Sequence, residues 1–455
     1  MNSNVIPSSC DAALSWRRLT AGLALVAALL AACFIPARAE TLLLTGATVH
    51  TVSGATYAPG DVLIKDGKIT GVFDAGRAQR PPDVAGTVKI DLRGQHLYPG
   101  LIALNSGLGL AEISAVRATL DSREVGEFTP EVQSWLAVNP DSELLPVARA
   151  NGVAYFEPAP GGAAVSGQSG LVALDGWTYE QMTFRPAVAL HVYWPEVDLD
   201  STPKARAKDP KKWKSLEDQA RERREKRQAL EEFFEEARAY VLANAATGTT
   251  PRPKPVPAWE AMGPFVRGEK PITVHADDVR AIRAAVQWAE KNRYRITLAE
   301  ARDAWMVAPL LAEKKIPVVF NHVFTLPPRD TDSYDVHFSA PAVLHRAGVP
   351  VAFSLGVERA SLVKNLPYEA AQAVAHGLPA DEALKGLTLY PAQIAGVAEQ
   401  LGSIDVGKVA TLFAADGDIL DIRAQVKRLW IAGREIGLET RHTRFYEKYR
   451  HRPKP

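Results

Sequence analysis

Cysteine is almost missing from this chain of 455 residues, which contains only Cys10 and Cys33. Both precede residue 40, so the rest of the sequence has no thiol for a disulfide framework or a thiolate metal site. Neither sign of charge dominates, because 53 Lys and Arg side chains nearly balance 52 Asp and Glu side chains. A formal net charge of +1 gives no electrostatic reason to expect a nucleic-acid partner.

Long apolar runs are also scarce. The run from Leu19 to Ala32 follows Arg17-Arg18 and is short for a bilayer span. Small residues then precede Glu40 in Ala37-Arg38-Ala39, which is typical of a cleavage site. We therefore predict that residues 1–39 are a signal peptide and that the mature protein is periplasmic or secreted. Two alternatives stay open: lipidation of Cys33, which would make a membrane-anchored lipoprotein, and retention of the segment as an anchor.

Apolar residues make up 47% of the chain, enough for one large core and a smaller one. Near the amino terminus, β-branched runs and the Asp66-Gly67-Lys68 turn predict a hairpin meander. A similar set recurs in residues 402–413 and in Val426 to Ile431, followed by the Gly433-Arg434 turn. Both ends of the chain are therefore predicted to be short strands.

Two sequence phrases resemble the amidohydrolase superfamily, in particular its exported imidazolonepropionase-like branch. They are Pro99-Gly100-Leu101-Ile102 and the run from Gly402-Ser403-Ile404 to Leu412. The resemblance implies an α/β fold, a (β/α)8 TIM barrel with a small composite β-sandwich domain built from both chain ends. The implied domains are residues 40–98 and 401–445 for the sandwich, and 99–400 for the barrel.

Eight apolar or β-branched runs are candidates for the barrel strands, which agrees with the fold that the resemblance implies. The Gly- and Ser-rich segment 160–170, which precedes the third of them, is predicted to be a loop. The eight runs are Pro99 to Asn105, Gly152 to Glu157, Gly170 to Leu174, Val188 to Tyr193, Pro271 to His275, Arg295 to Ala299, Ile316 to Asn321 and Val349 to Ser354.

A charged insertion at about residues 200–255 separates the fourth and fifth runs. Leu230, Phe233, Phe234, Ala237 and Val241 recur there at helical spacing among mixed charges, which predicts a long amphipathic helix. A solvated charged face is the ordinary interpretation of such a helix, and a role as a lid or a partner surface is the alternative.

The resemblance also implies a divalent metal centre at the carboxyl ends of the strands, where metal-bound water would become the nucleophile. This sequence lacks most of the expected ligands. Asn105 and Gly107 stand where the family has His-x-His, and Gly356 stands where it has a catalytic Asp. Of the usual set only His275 remains, so it is a weak metal candidate, and we expect no bound metal.

The candidate ligand-pocket residues are Asn105, His275, Asp277, Glu300, His322 and His337. We predict a non-catalytic binding or partner subunit that holds a small molecule and pairs with an intact amidohydrolase paralogue or with itself. The alternative is an active hydrolase of non-peptide C–N bonds, with a remodelled site that holds one zinc or manganese ion. Membrane association is expected only if Cys33 is lipidated.

Overall fold

A computed structural model describes residues 41–77, 81–113, 115–245 and 254–453. These residues form two eight-stranded sheets with helices packed around one of them. The predicted signal peptide, with Cys10 and Cys33, lies outside the described residues. No helix in the described part of the chain is long and apolar enough to cross a bilayer.

The smaller sheet combines strands from both ends of the chain. Its order is β16-β15-β14-β5-β1-β2-β3, with β4 paired to β1. The two ends meet where β5 pairs with β14 in antiparallel register, Pro99 opposite Leu412. The strands are β1 (Thr41–His50), β2 (Thr56–Lys65), β3 (Lys68–Asp74), β4 (Val88–Asp91), β5 (His96–Pro99), β14 (Leu412–Ala415), β15 (Val426–Ile431) and β16 (Arg434–Ile436).

Tight turns set the register of this sheet. Asp66 and Gly67 both have positive φ, 51° and 73°, as a two-residue hairpin turn between β2 and β3 requires. Ala432 and Gly433 repeat this pattern between β15 and β16, with φ of 50° and 79°. The sequence predicted a turn at both places. A separate apolar core that includes Leu44, Val62 and Trp430 fills this part of the molecule.

The larger sheet is a nearly closed barrel, with hydrogen-bonded order β6 to β13. All eight predicted runs overlap its strands, which confirms the predicted fold class of an α/β barrel beside a composite sheet. The strands are β6 (Leu101–Ser106), β7 (Val153–Pro158), β8 (Val165–Ala173), β9 (Thr183–Tyr193), β10 (Ile272–Ala276), β11 (Ile296–Glu300), β12 (Val318–Phe320) and β13 (Val351–Phe353).

One strand departs from a regular β/α alternation. Strand β8 pairs antiparallel with both β7 and β9, whereas the other neighbours in the barrel are parallel. A short turn joins β7 to β8, so no helix crosses between them. Residues 165–170, predicted as loop, are therefore strand. The space beside this strand is tight at Gly170, where a Cβ would lie 3.0 Å from the ring of Trp135 and 3.1 Å from the backbone oxygen of Arg185.

Helices cover the outside of the barrel, and the predicted helix in the insertion is present as α3. Its Leu230, Phe234 and Ala237 are buried, while its charged side chains remain largely at the surface. The helices are α1 (Leu144–Arg149), α2 (Tyr179–Met182), α3 (Leu216–Ala245), α4 (Pro257–Val266), α5 (Val279–Asn292), α6 (Ala308–Glu313), α7 (Val336–Arg346), α8 (Leu366–Ala375), α9 (Ala380–Leu387), α10 (Leu389–Ile394) and α11 (Arg441–Arg450).

Candidate functional site

The carboxyl ends of the parallel barrel strands form the barrel mouth, the place where barrel enzymes hold their reacting groups. Asn105 lies near the end of β6 with a left-handed φ of 49°, and the β6–β7 register shifts between Ala103 and Ser106. This bulge turns the backbone N–H of Asn105 toward Glu157 Oε2, to which it donates at 3.0 Å. The side chain of Asn105 is buried, and neither of its amide atoms has a partner among the described residues.

Glu157 is a buried carboxylate at the end of β7. Besides the Asn105 amide it accepts a hydrogen bond from Ser169 Oγ on β8, at 2.6 Å. His191 on β9 approaches the same oxygen, Oε1, with its Nε2 at 3.4 Å. Three neighbouring strands thus supply the contacts of one carboxylate, which offsets part of the cost of burying its charge.

The contacts continue across the sheet. His191 Nδ1 lies 3.0 Å from His275 Nε2, and His275 Nδ1 lies 3.3 Å from Glu300 Oε1 at the end of β11. Glu300 has a positive φ of 67° and is partly exposed at the mouth. We call the four side chains Glu157, His191, His275 and Glu300 the relay. It joins a buried carboxylate to an accessible one through two imidazoles.

Two contacts of the relay need a proton. His191 Nδ1 faces His275 Nε2, and His275 Nδ1 faces Glu300 Oε1, so each contact joins two atoms that both carry lone pairs. One proton in each contact makes it a hydrogen bond.

Burial and hydrogen bonding determine which charge states Glu157 and His191 favour at the inner end of the relay. Burial raises the pKa of Glu157, but the contacts with His191, Ser169 and the Asn105 amide outweigh it and leave the pKa below its usual value. Burial lowers the pKa of His191 by more than the Glu157 carboxylate raises it. Both directions favour an ionised Glu157 and a neutral His191 at pH 7.

The remaining candidate residues form a second cluster at the mouth. His322 Nε2 lies 2.9 Å from Asp277 Oδ1, and Thr325 Oγ1 lies 3.3 Å from His322 Nδ1 and 2.9 Å from His337 Nδ1. Asp277 is held in place because the next residue, Asp278, caps α5 by accepting from two backbone amides. His337 is buried, and this burial lowers its pKa, which favours its neutral form. The structure thus joins His275 to Glu300, and Asp277 to His322.

A cavity of about 440 Å³ opens beside the relay. The segment 162–164, Tyr193 and Arg223 of α3 are among its walls. The ring of Tyr193 lies between the cavity and the relay, because it stacks on His275 at a centroid distance of 3.9 Å. The volume falls in the range that small-molecule ligands occupy in proteins.

The described residues do not fit the metal centre that the resemblance implies. Both oxygens of Glu157 are engaged, and the facing nitrogens of His191 and His275 contact each other. Among the described His, Cys, Asp and Glu side chains, no group of three or more could hold a metal ion. Two expected ligand positions are also crowded. A Cβ on Gly107 would lie 2.1 Å from the backbone oxygen of Val357, and one on Gly356 would lie 2.4 Å from the side-chain nitrogen Nδ2 of Asn321.

Sequence reasoning missed Glu157, Ser169 and His191 as site residues. Glu157 ends an otherwise apolar strand, Val153-Ala154-Tyr155-Phe156-Glu157, and a charge in such a position usually has a buried partner. This pattern could have identified Glu157 from the sequence. The direction of β8, which brings Ser169 to Glu157, could not have been predicted, because nothing in the local sequence distinguishes a parallel strand from an antiparallel one here.

A barrel with polar side chains at its strand ends beside a composite sheet is the architecture that the sequence resemblance implied. The Amidohydrolase family model matches residues 228–436. The chain is 22% identical to "Amidohydrolase tasK" of Hapsidospora irregularis over 409 residues, which is 82% of this chain and 39% of that protein. The chain thus spans well under half of the length of this curated relative.

Two solved structures share the fold. The crystal structure of an amidohydrolase from Thermotoga maritima MSB8 has 24% identity and a TM-score of 0.73, covering 87% of this chain and 99% of that one. A prolidase complexed with N-methylphosphonate-L-proline has 18% identity and a TM-score of 0.52, with coverage of 87% and 99%. Residues 228–436 thus match the Amidohydrolase family, and the chain shares its fold with these two proteins.

Proposed function

We propose that this protein is a non-catalytic member of the amidohydrolase superfamily and that it binds a small molecule at the barrel mouth. The observation that carries the proposal is the contact between His191 Nδ1 and His275 Nε2, 3.0 Å apart. In this contact one nitrogen carries the proton and the other directs its lone pair at that proton, so neither has a lone pair free for a metal ion while the contact is made. A metal ion that would supply hydroxide is therefore disfavoured at this position.

The cavity under α3 supports binding as the retained activity. It lies on the side of the barrel where ligands bind in this architecture, and Tyr193 separates it from the relay. The four side chains of the relay contact one another, and these contacts hold the strand ends beneath the cavity in place. A rigid wall of this kind lowers the ordering cost of binding a ligand.

Metal content is the first test of the non-catalytic part. The purified chain is incubated with zinc or manganese, desalted and analysed for metal, then assayed for hydrolysis of cyclic amides, imides and dipeptides. We expect no stoichiometric metal and no turnover. One equivalent of metal that is lost in His275→Ala and kept in the control His345→Ala would contradict the proposal, as would turnover that depends on His275.

The binding part has a separate test. Ala164 lines the cavity, and a larger side chain there reduces its volume. The same compounds are screened for a rise in the melting temperature of the wild type and of Ala164→Phe. A compound that stabilises only the wild type supports binding in the cavity. Equal shifts in both proteins would place the ligand elsewhere.

Hydrolysis of non-peptide C–N bonds is the second candidate function, and the Asp277–His322 pair favours it. Their 2.9 Å contact orients an imidazole at the mouth, where the Asp277 side chain is 37% exposed and that of His322 14% exposed. Such a pair can hold and deprotonate a water molecule without a metal. Turnover lost in His322→Gln but kept in His275→Ala would establish this function.

Export and partnership remain part of the proposal. Residues 1–39 are proposed to direct the chain to the periplasm or outside the cell, and an intact amidohydrolase paralogue or a second copy is the proposed partner. Co-purification from the native source tests both of these proposed partners. A homologous chain with complete ligands in the purified complex supports the pairing, and a protein recovered alone or only with itself contradicts the paralogue.

A further inference from the structure

Helix α11 packs none of its side chains into the molecule. It begins at Thr440, whose side chain accepts from the Thr443 amide in a capping box, and it is tied to the body by Arg444, which donates to Glu143 at 2.6 Å. A ten-residue helix is too short to be stable in water by backbone propensity alone. Its exposed face is therefore a candidate contact surface.

The aromatic residues of this helix lie on one side. Phe445 and Tyr449 are one turn apart with ring centroids 6.2 Å from each other, and Tyr446 precedes Tyr449 by three positions. Tyr446 is 64% exposed and Tyr449 58%. Cations flank each ring: Arg441 lies 5.2 Å from Phe445, Lys448 5.5 Å from Tyr449 and Arg450 5.7 Å from Tyr446.

The charge on this segment is strongly positive. Arg444 pairs with Glu143, and Arg450 pairs with Glu447, the single acidic residue from Arg441 to Arg452. Three further cations have no carboxylate partner in the described part of the chain. They are Arg441, Lys448 and Arg452.

An exposed tryptophan lies three residues after Leu174, which contacts the other end of α1. Trp177 is 90% exposed in the turn after β8. Helix α11 and the turn that carries Trp177 are both connected to α1. Arg149, at the end of α1, donates to Leu174 O at 2.9 Å, and Glu143, just before the start of α1, accepts from Arg444. We call α11 together with Trp177 the basic aromatic surface.

We propose that the basic aromatic surface binds the headgroup region of a membrane that contains anionic phospholipids. Tyr and Trp rings with an apolar body and a polar edge suit this region, and Arg and Lys reach the phosphates around them. An acidic protein partner is less favoured, because residues 441–450 contain no Leu, Ile, Val or Met to fill a protein groove. This contact is independent of lipidation at Cys33.

Vesicle co-sedimentation tests the proposal. The chain from Thr41 onward is used because it contains both hydrophobic cores and lacks the apolar run from Leu19 to Ala32. We expect it to bind vesicles of phosphatidylglycerol and phosphatidylcholine, to bind phosphatidylcholine alone at least tenfold more weakly, and to dissociate as salt is raised.

Two variants connect the binding to α11. Phe445→Ser with Tyr449→Ser removes the rings, and Lys448→Glu reverses a charge; circular dichroism checks that both fold. Each should lower binding at least tenfold, whereas the control Arg224→Glu on α3 should not change it. No binding by the wild type, equal loss in the control, or tighter binding to polyglutamate than to the anionic vesicles would overturn the proposal.

Discussion

The ring of Tyr193 lies nearly parallel to the ring of His275, 3.9 Å away with an angle of 11° between them. Its hydroxyl donates to Pro160 O at 3.2 Å, which fixes the ring across the opening. Tyr193 therefore closes one face of the relay while it forms a wall of the cavity. A ligand in the cavity would contact this ring before it reached any titratable group of the relay.

The first prediction concerns the partner of Glu157. His191→Leu leaves a buried carboxylate without its imidazole, so we expect it to lower the free energy of unfolding by about 3–5 kcal/mol. The double variant Glu157→Leu with His191→Leu removes the charge too, and it should be less destabilised than His191→Leu alone. Urea unfolding followed by circular dichroism measures both. Additive losses would contradict the coupling between the two groups.

The second prediction concerns the proton distribution in the relay. We expect His191 to be neutral with its proton on Nε2, where it faces Glu157, because burial disfavours its charged form. Nitrogen-15 chemical shifts of the imidazoles at pH 7 measure this, with His191→Gln identifying the signals. A doubly protonated His191, or a proton on its Nδ1, would contradict the assignment.

The third prediction concerns the two ligand positions now occupied by glycine. Gly107→Ala should lower the free energy of unfolding by at least about 3 kcal/mol, because the new Cβ would meet a backbone carbonyl at 2.1 Å. Gly356→Asp, which restores the family residue, should also destabilise, because φ is +76° and Asn321 occupies the space. Gly437→Ala has open space around it and serves as the control. Stable variants at both positions would show that the backbone can readmit these side chains.

The fourth prediction concerns Glu369 on α8. Burial raises its pKa to about 8 from the ordinary 4.5. Between these pH values the folded state binds more protons than the unfolded state, so its contribution to stability is lost as pH rises. Glu369→Gln should match the wild type at pH 4.5 and exceed it by roughly 2–4 kcal/mol at pH 8.5. Urea unfolding at both values tests this, and the exposed Glu399→Gln should show no such difference.

The fifth prediction concerns His50 in the smaller sheet. Burial, aided by His96 at 3.0 Å, lowers its pKa from 6.5 to about 4. Here the unfolded state binds more protons between these values, so stability is lost as pH falls from 6.5 to 4. Solvent screening at this half-buried residue reduces the effect to roughly 1–2 kcal/mol. Thermal unfolding across this range should be less pH-dependent in His50→Gln, and an unchanged slope would contradict the assignment.

The fold could largely be predicted from the sequence, because periodicity and turn chemistry act locally. The Asp66-Gly67 turn, the helix around Leu230 and Phe234, and all eight barrel runs are examples. Strand direction could not be predicted for β8, since its residues are buried on both faces and show no alternation to interpret. The order of pairing in a barrel depends on contacts that are distant in sequence.

The sequence named several of the residues that the structure places at the barrel mouth, but it did not predict the contacts among them. Asn105, His275 and Glu300 do lie at the mouth, and so does the Asp277–His322 pair. The identity of the group that each contacts depends on side-chain distances of a few tenths of an ångström, which no local pattern encodes. His191, for example, was not among the candidate residues, and it became important only through its contacts with Glu157 and His275.

The pairing of Pro99 with Leu412 also has a kinetic consequence. Strand β5 is synthesised long before β14, and it cannot complete its sheet until the whole barrel between them has left the ribosome. Contacts so distant in sequence form slowly because a large loop must close first. The amino-terminal strands of this sheet therefore lack their carboxyl-terminal partners until synthesis of the chain is nearly finished.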